Sequence, residues 1–170
     1  MKKNFKILPF LVLMITLVSC KKEDFNGLSD LRPAVPVTVT NAIDFRPEPT
    51  VTTSKSAGGS IQITLSIPAS SGRTIKEITK IAVATNYSQI QSTGTTGFYT
   101  TTPPFTPIPV NSTTYTFNTT LAEYVLKGPG VIPTVSTTVG TELAKRFYFL
   151  LTLDDGTVII PESVRVLVTN

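Results

Sequence analysis

The sequence predicts an all-β fold, a single antiparallel β-sandwich of seven or eight short strands, and three observations predict it. In "GGSIQITLSIPAS" the apolar residues Ile61, Ile63, Leu65 and Ile67 alternate with Gln62, Thr64 and Ser66, which sets one face of a strand in a core and the other in water. In "RFYFLLTLDDGTVII" Phe147, Phe149, Leu151 and Leu153 share a face and lead into an Asp155–Gly156 turn. Helix signals collect in one short segment near residue 120, so helices do not supply a second layer. A small Greek-key β-barrel is the alternative way to close the same strands.

The chain has 170 residues, enough for one domain of ordinary size. Residues 1–19 read as a signal peptide: Lys2, Lys3 and Lys6 form a positive head, followed by the apolar run "ILPFLVLMITLV". That run of 12 residues falls short of the roughly 20 that cross a bilayer core. A buried core strand or helix is the bland alternative, disfavoured because the run has no polar face. The only cysteine, Cys20, stands at the seam between this greasy segment and the charged "KKED". With its head, apolar run and "LVSC" box (Leu17, Val18, Ser19, Cys20), the segment resembles a bacterial lipoprotein precursor. The resemblance implies cleavage before Cys20 and lipidation of its thiol and new amino group by fatty chains such as palmitate. Several chains anchor stably where one holds only marginally. Simple secretion or a retained anchor helix would be the other outcomes.

Lys22, Glu23 and Asp24 follow, a lysine and two acids that resemble the export signal of Bacteroidota surface lipoproteins. This implies a lipid anchor in the outer membrane facing the cell exterior, with a periplasmic-facing anchor as the alternative. Residues 20–34, with Gly27 and Pro33, then serve as lipidated N-terminus and flexible tether, reaching about 3 Å per residue when extended. Residues 35–170 form the sandwich domain.

Within that domain Val35, Val37 and Val39 alternate, and Pro36 among them marks an edge strand. A short strand is expected near 43–45, the clear one at 61–67, and another at 78–85. In the last, Ile81 and Val83 share one face while Ile78 joins Lys80, Ala82 and Ala84 on the other. Tyr115 and Phe117 share a face of a strand near 113–118. A helix of one or two turns follows, with Thr120 as cap, Glu123 three residues on, and Lys127–Gly128 at its end. Strands near 144–153 and 157–160 pair through a two-residue Asp155–Gly156 loop, which sets Leu153 against Val158 and Leu151 against Ile160. Tyr148 and Leu150 on the opposite face require cover as well. In the return strand Glu162 stands in phase with Ile160, and a buried unpaired carboxylate is costly. A break or bulge is therefore expected at Pro161–Glu162 before Val164, Val166 and Val168 resume. These elements resemble immunoglobulin-like or fibronectin type III-like modules, without a Cys…Trp…Cys core and without any tryptophan.

Composition narrows function. Fifteen lysines and arginines face eleven acids; without the three lysines of the head the balance is twelve to eleven, a net charge of +1. No basic cluster interleaved with aromatics follows, which argues against nucleic acid. The chain has no histidine, which removes histidine-based triads and ligands. An acylated Cys20 is no nucleophile, and no metal site, cofactor or catalytic set is assigned. A pair of carboxylates is enough for glycoside hydrolysis, so a carboxylate-dependent hydrolase is the class alternative. The stretch "TGTTGFYTTTPPFTPIPV" holds Phe98, Tyr99 and Phe105 among four prolines, which marks them as anchors for a partner, a glycan or an outer-membrane protein. The competing reading folds them over a sheet edge or over the Tyr148/Leu150 face. The leading expectation is a non-catalytic cell-envelope module for binding or scaffolding. A structural subunit of a larger envelope complex is a further alternative.

Overall fold

The computed structural model describes residues 33–92, 98–99, 106–128, 130–133 and 140–170. Cys20, Lys22, Glu23, Asp24 and Phe105 lie outside the described residues. The strands are β1 (Thr38–Val39), β2 (Thr50–Ser54), β3 (Ser60–Ser66), β4 (Ile75–Ala84), β5 (Ile108–Ser112), β6 (Thr114–Thr120), β7 (Thr141–Glu142), β8 (Arg146–Leu153), β9 (Val158–Ile159) and β10 (Arg165–Thr169). Two short helices, α1 (Ser88–Gln91) and α2 (Leu121–Lys127), and one 3₁₀ turn at Ala69–Ser71 complete the elements.

The fold is all-β and sandwich-like. Three sheets run in the orders β1-β3-β6, β5-β4-β8-β9 and β2-β10-β7. A bridge between Phe147 and Val164 joins the last two. None of the sheets closes on itself, so the described residues do not form a barrel. The main core takes Ile61, Ile63 and Leu65 from β3, Phe117 from β6, four residues each from β4 and β8, and Val166 and Val168 from β10. One pairing corrects the antiparallel expectation: β2 and β10 run parallel, from Thr50↔Arg165 to Ser54↔Thr169.

The strand at 61–67 is where alternation placed it, and Ile61, Ile63 and Leu65 are fully buried. The 35–39 strand shortens to β1 at the edge beside β3, and 43–45 reduces to a single bridge between Asp44 and Thr50. β2 was not foreseen, because its inward positions are Val51 and a buried threonine, Thr53, whose hydroxyl donates to the Ser60 carbonyl at 2.7 Å.

β4 corrects the face assigned to Ile78. Two register shifts against β8, between Ile75 and Glu77 and between Ile78 and Lys80, insert an extra residue each. Ile75, Ile78, Ile81 and Val83 consequently all face the main core, opposite Leu153, Leu151, Phe149 and Phe147.

The β8–β9 hairpin is also shifted by one residue from expectation. Leu151 opposes Ile159 and Thr152 opposes Val158, so the loop is Asp154-Asp155-Gly156 rather than two residues. Gly156 has φ +86°, the conformation that ends a three-residue hairpin turn, and the Thr157 N–H donates to the Asp155 carboxylate at 2.9 Å. Ile159 is therefore the inward residue, and Val158 lies in water. Beyond the hairpin, Phe147↔Val164 requires one more residue in the return strand than Leu151↔Ile159 does. The extra residue falls between Ile159 and Val164, in the unpaired stretch that contains the expected Pro161–Glu162 break, and Glu162 is exposed.

α2 follows its sequence signals. Thr120 accepts from the Glu123 N–H at 3.2 Å, and the Glu123 carboxylate accepts from the Thr119 hydroxyl at 2.6 Å.

Candidate functional site

The two described aromatics of the Pro-rich stretch, Phe98 and Tyr99, turn inward. Phe98 forms a bridge with Ala82 on the edge of β4 that β5 leaves free, and the Tyr99 N–H donates to the Ile81 carbonyl at 2.8 Å. Neighbouring residues of an extended segment point to opposite faces. Phe98 enters a second, smaller core with Ala82, Ala84, Ile90 and Tyr148, only 2% exposed, with the Lys80 Nζ 5.9 Å from its ring centre. Leu150 packs against this cluster, so the Tyr148/Leu150 face is covered by α1 and by Phe98. Tyr99 turns to the main core, with its ring 5.2 Å from Phe117 and 5.7 Å from Phe147. Phe98 thus serves packing rather than display, which corrects its assignment as a partner anchor. Tyr99 is half-buried.

The Tyr99 hydroxyl is buried without a hydrogen bond among the described residues. Its pKa is pushed up to about 12, first by burial and further by the Glu123 and Tyr124 oxygens, while the nearby Thr119 hydroxyl opposes part of the rise. It stays a neutral phenol at physiological pH. Burial also raises the pKa of Tyr124, whose hydroxyl accepts from the Lys145 N–H at 3.1 Å.

The display denied to Phe98 is found in the loop 41–49, "NAIDFRPEP". Ile43 is 63% exposed and Phe45 52%, and the Arg46 side chain stands 92% in solvent. This loop is held along its length. Ile43 donates to the Thr50 carbonyl and Thr50 donates back to Asp44, each at 2.8 Å. The Asp44 carboxylate accepts from the N–H groups of Phe45 (2.8 Å) and Arg46 (3.2 Å), which hold its pKa below the usual carboxylate value, the Phe45 bond most of all. A cis Arg46–Pro47 bond and Pro49 complete the turn. Glu48 accepts from Arg146 Nη1 at 3.1 Å and from the buried Ser163 hydroxyl at 2.8 Å, tying the loop to β8 and to the Pro161–Glu162 bulge. The same signal that singled out 93–110, an aromatic residue framed by prolines, is present in "DFRPEP". The expectation of a short strand at 43–45 hides it.

Two open grooves among the described residues flank the segment 33–37. One, of about 500 Å³, is lined by Pro33, Pro36, Val37, Tyr87, Ile159 and Pro161, with Glu162 its one carboxylate. The other, of about 370 Å³, holds Asp155, which pairs with Arg73 at 3.0 Å. Neither wall brings two carboxylates together. Among the described residues no group of three or more potential ligands could hold a metal ion. No helix of the described residues is long and apolar enough to cross a membrane.

No family model matches this chain, and no curated protein or solved structure matches it either.

Proposed function

We propose that this chain is a non-catalytic, lipid-anchored module of the cell envelope, held at the outer membrane through Cys20, that binds or scaffolds a protein partner through its 41–49 loop. The observation that supports this most is the pairing of exposure with rigidity. Ile43, Phe45 and Arg46 stand in water on a loop held by backbone bonds at Asp44 and by side-chain bonds at Glu48. Single apolar residues on a surface are ordinary. Here an aliphatic, an aromatic and an arginine are held in one short pre-ordered turn, and aromatic and arginine side chains lead among residues that dominate protein interfaces. Pre-ordering lowers the entropy lost on docking.

The anchor rests on the "LVSC" resemblance, and outward display rests on Lys22, Glu23 and Asp24. The test places a photoreactive residue at position 43 in the lipidated protein on intact cells. We expect one discrete adduct, lost in Phe45→Ala, Arg46→Ala double variants whose melting temperature is unchanged. Cys20→Ser should release the protein from the membrane fraction, and protease added to intact cells should digest an outward-facing domain. An adduct that survives the double substitution would refute the loop as docking site. Polysaccharide turnover abolished by neutralising one Glu or Asp would refute the non-catalytic reading.

A further inference from the structure

We infer that the free edge of β6 is a pairing surface for a second copy of this chain, joining two β1-β3-β6 sheets antiparallel across a two-fold axis. A sheet edge exposes unpaired N–H and C=O groups, and proteins normally blunt such edges with short strands, proline, charge, bulges or a covering segment. The other edges here carry those devices. β1, β7 and β9 are two residues long. β5 contains Pro109 and a left-handed Asn111, and its register to β4 is broken. β2 is capped at its start by the bridge to Asp44.

Among the described residues β6 has none of them. Its seven residues, Thr-Tyr-Thr-Phe-Asn-Thr-Thr, contain neither charge nor proline. It pairs with β3 in unbroken register from Thr120↔Ser60 to Thr114↔Ser66. Among the described residues no strand pairs with its other edge.

The hydrogen-bond parity says which groups point outward. The Ile67 N–H donates to the Thr113 carbonyl and the Leu121 N–H to the Gly59 carbonyl, so the odd-numbered residues of β6 bond to β3. Consistently, Thr64 of β3 uses its backbone on the far side, accepting from the Thr40 N–H and donating to the Asn41 carboxamide. The backbone groups of Thr116 and Asn118 therefore face away from β3.

A two-fold axis at Phe117 sets Thr116 against Asn118 of the second copy and Thr114 against Thr120, so that outward groups meet outward groups. The side chains agree as well. On the solvent face β3 and β6 already form uncharged cross-strand pairs, Gln62–Asn118 at 3.1 Å, Thr64–Thr116 at 3.2 Å and Ser66–Thr114 at 3.4 Å. Pairing through β6 continues that ladder into the second copy with no like charges opposed, and Thr–Thr pairs across strands are stabilising. A self-complementary patch of this kind closes as a dimer. A neutral foreign strand could use the same bonds; a second copy brings in addition a matching row of Thr and Asn side chains that extends the uncharged ladder already formed with β3.

The inference is independent of the partner proposed for the 41–49 loop. The test uses the full-length chain in its native membrane and in mild detergent. Thr116→Cys is treated with a short bifunctional thiol reagent, and Thr52→Cys on β2 is the exposed control. We expect a cross-linked dimer from Thr116→Cys and roughly tenfold less from the control. Adding Asn118→Pro removes an outward N–H that β3 does not use, and adding Asn118→Lys sets a charge on the edge; each should lower the dimer yield to the control level at unchanged melting temperature. Equal yields from positions 116 and 52, or a dimer undisturbed by Asn118→Lys, would overturn the inference. Cross-links from position 116 to a different protein would overturn it in favour of a foreign strand.

Discussion

Glu48 joins three parts of the molecule that are distant in sequence. One oxygen accepts from Arg146 and Ser163, and the other lies 3.0 Å from Arg146 Nε in a geometry too poor for a hydrogen bond, so that contact is held by charge alone. Removing the carboxylate leaves the fully buried Ser163 hydroxyl without this acceptor. Glu48→Ala should cost about 1–3 kcal/mol in urea denaturation, the usual cost of stranding a buried polar group. Arg146→Ala should cost less, because its side chain is partly in water. Tyr99 makes the opposite prediction, since its buried hydroxyl makes no hydrogen bond among the described residues. Tyr99→Phe should leave stability at pH 7 unchanged or raise it by about 1 kcal/mol. The alkaline behaviour follows from linkage. The unfolded phenol ionises near 10 and the folded one near 12, so the folded chain holds a proton that the unfolded chain has lost between those values. Stability from this group is complete below pH 10 and is lost as pH rises through 12. Tyr99→Phe should therefore flatten the fall in melting temperature over that window.

At the scale of elements, period-two alternation was legible where the inward residues of an unbroken strand are apolar, and it was hidden in β2, whose inward residues include Thr53. β3 is the clear example, with Ile61, Ile63 and Leu65 inward. In β4 the inward residues are 75, 78, 81 and 83, a spacing that alternation does not produce, and only its two bulges against β8 bring them to one face. A bulge depends on which residue a partner strand offers, so local sequence does not reveal it. The β8–β9 turn failed for a related reason. "DDG" fits a two-residue loop as well as a three-residue one, and the longer loop is accompanied by Asp155 bonding to Thr157 and pairing with Arg73, and by Asp154 bonding to Thr74. Gly156 carries the backbone requirement at φ +86°, and a Cβ there would meet nothing within 4 Å. Gly156→Ala should thus act through the backbone alone and cost about 1 kcal/mol in thermal unfolding. A break near Pro161–Glu162 is expected because Glu162 stands in phase with Ile160. The pairing does break there, but Ile159 rather than Ile160 faces the main core, so the break reflects the change of parity between Ile159 and Val164 and not the burial of Glu162.

At the scale of the whole molecule, the two proline-framed loops have opposite fates. β5 pairs with β4 only as far as Ile78, leaving the Ile81–Ala82 edge to be taken by Phe98 and Tyr99. That vacant edge, together with the uncovered Ala82, Ala84 and Tyr148, draws Phe98 into a second core. In the loop 41–49 Ala42 packs against the main core and Pro49 is buried, while Ile43 and Phe45 remain outside. By itself the sequence determined the all-β class, the inward faces of β3, β6, β8 and β10, the capped turn at Thr120 and the break at Pro161–Glu162. Each of these follows from residues that are neighbours in the chain. Only the tertiary structure decided the parallel β2–β10 pair, the bulges of β4, the hairpin register and which aromatics are displayed, because each depends on the edges and vacancies left by segments far away in sequence.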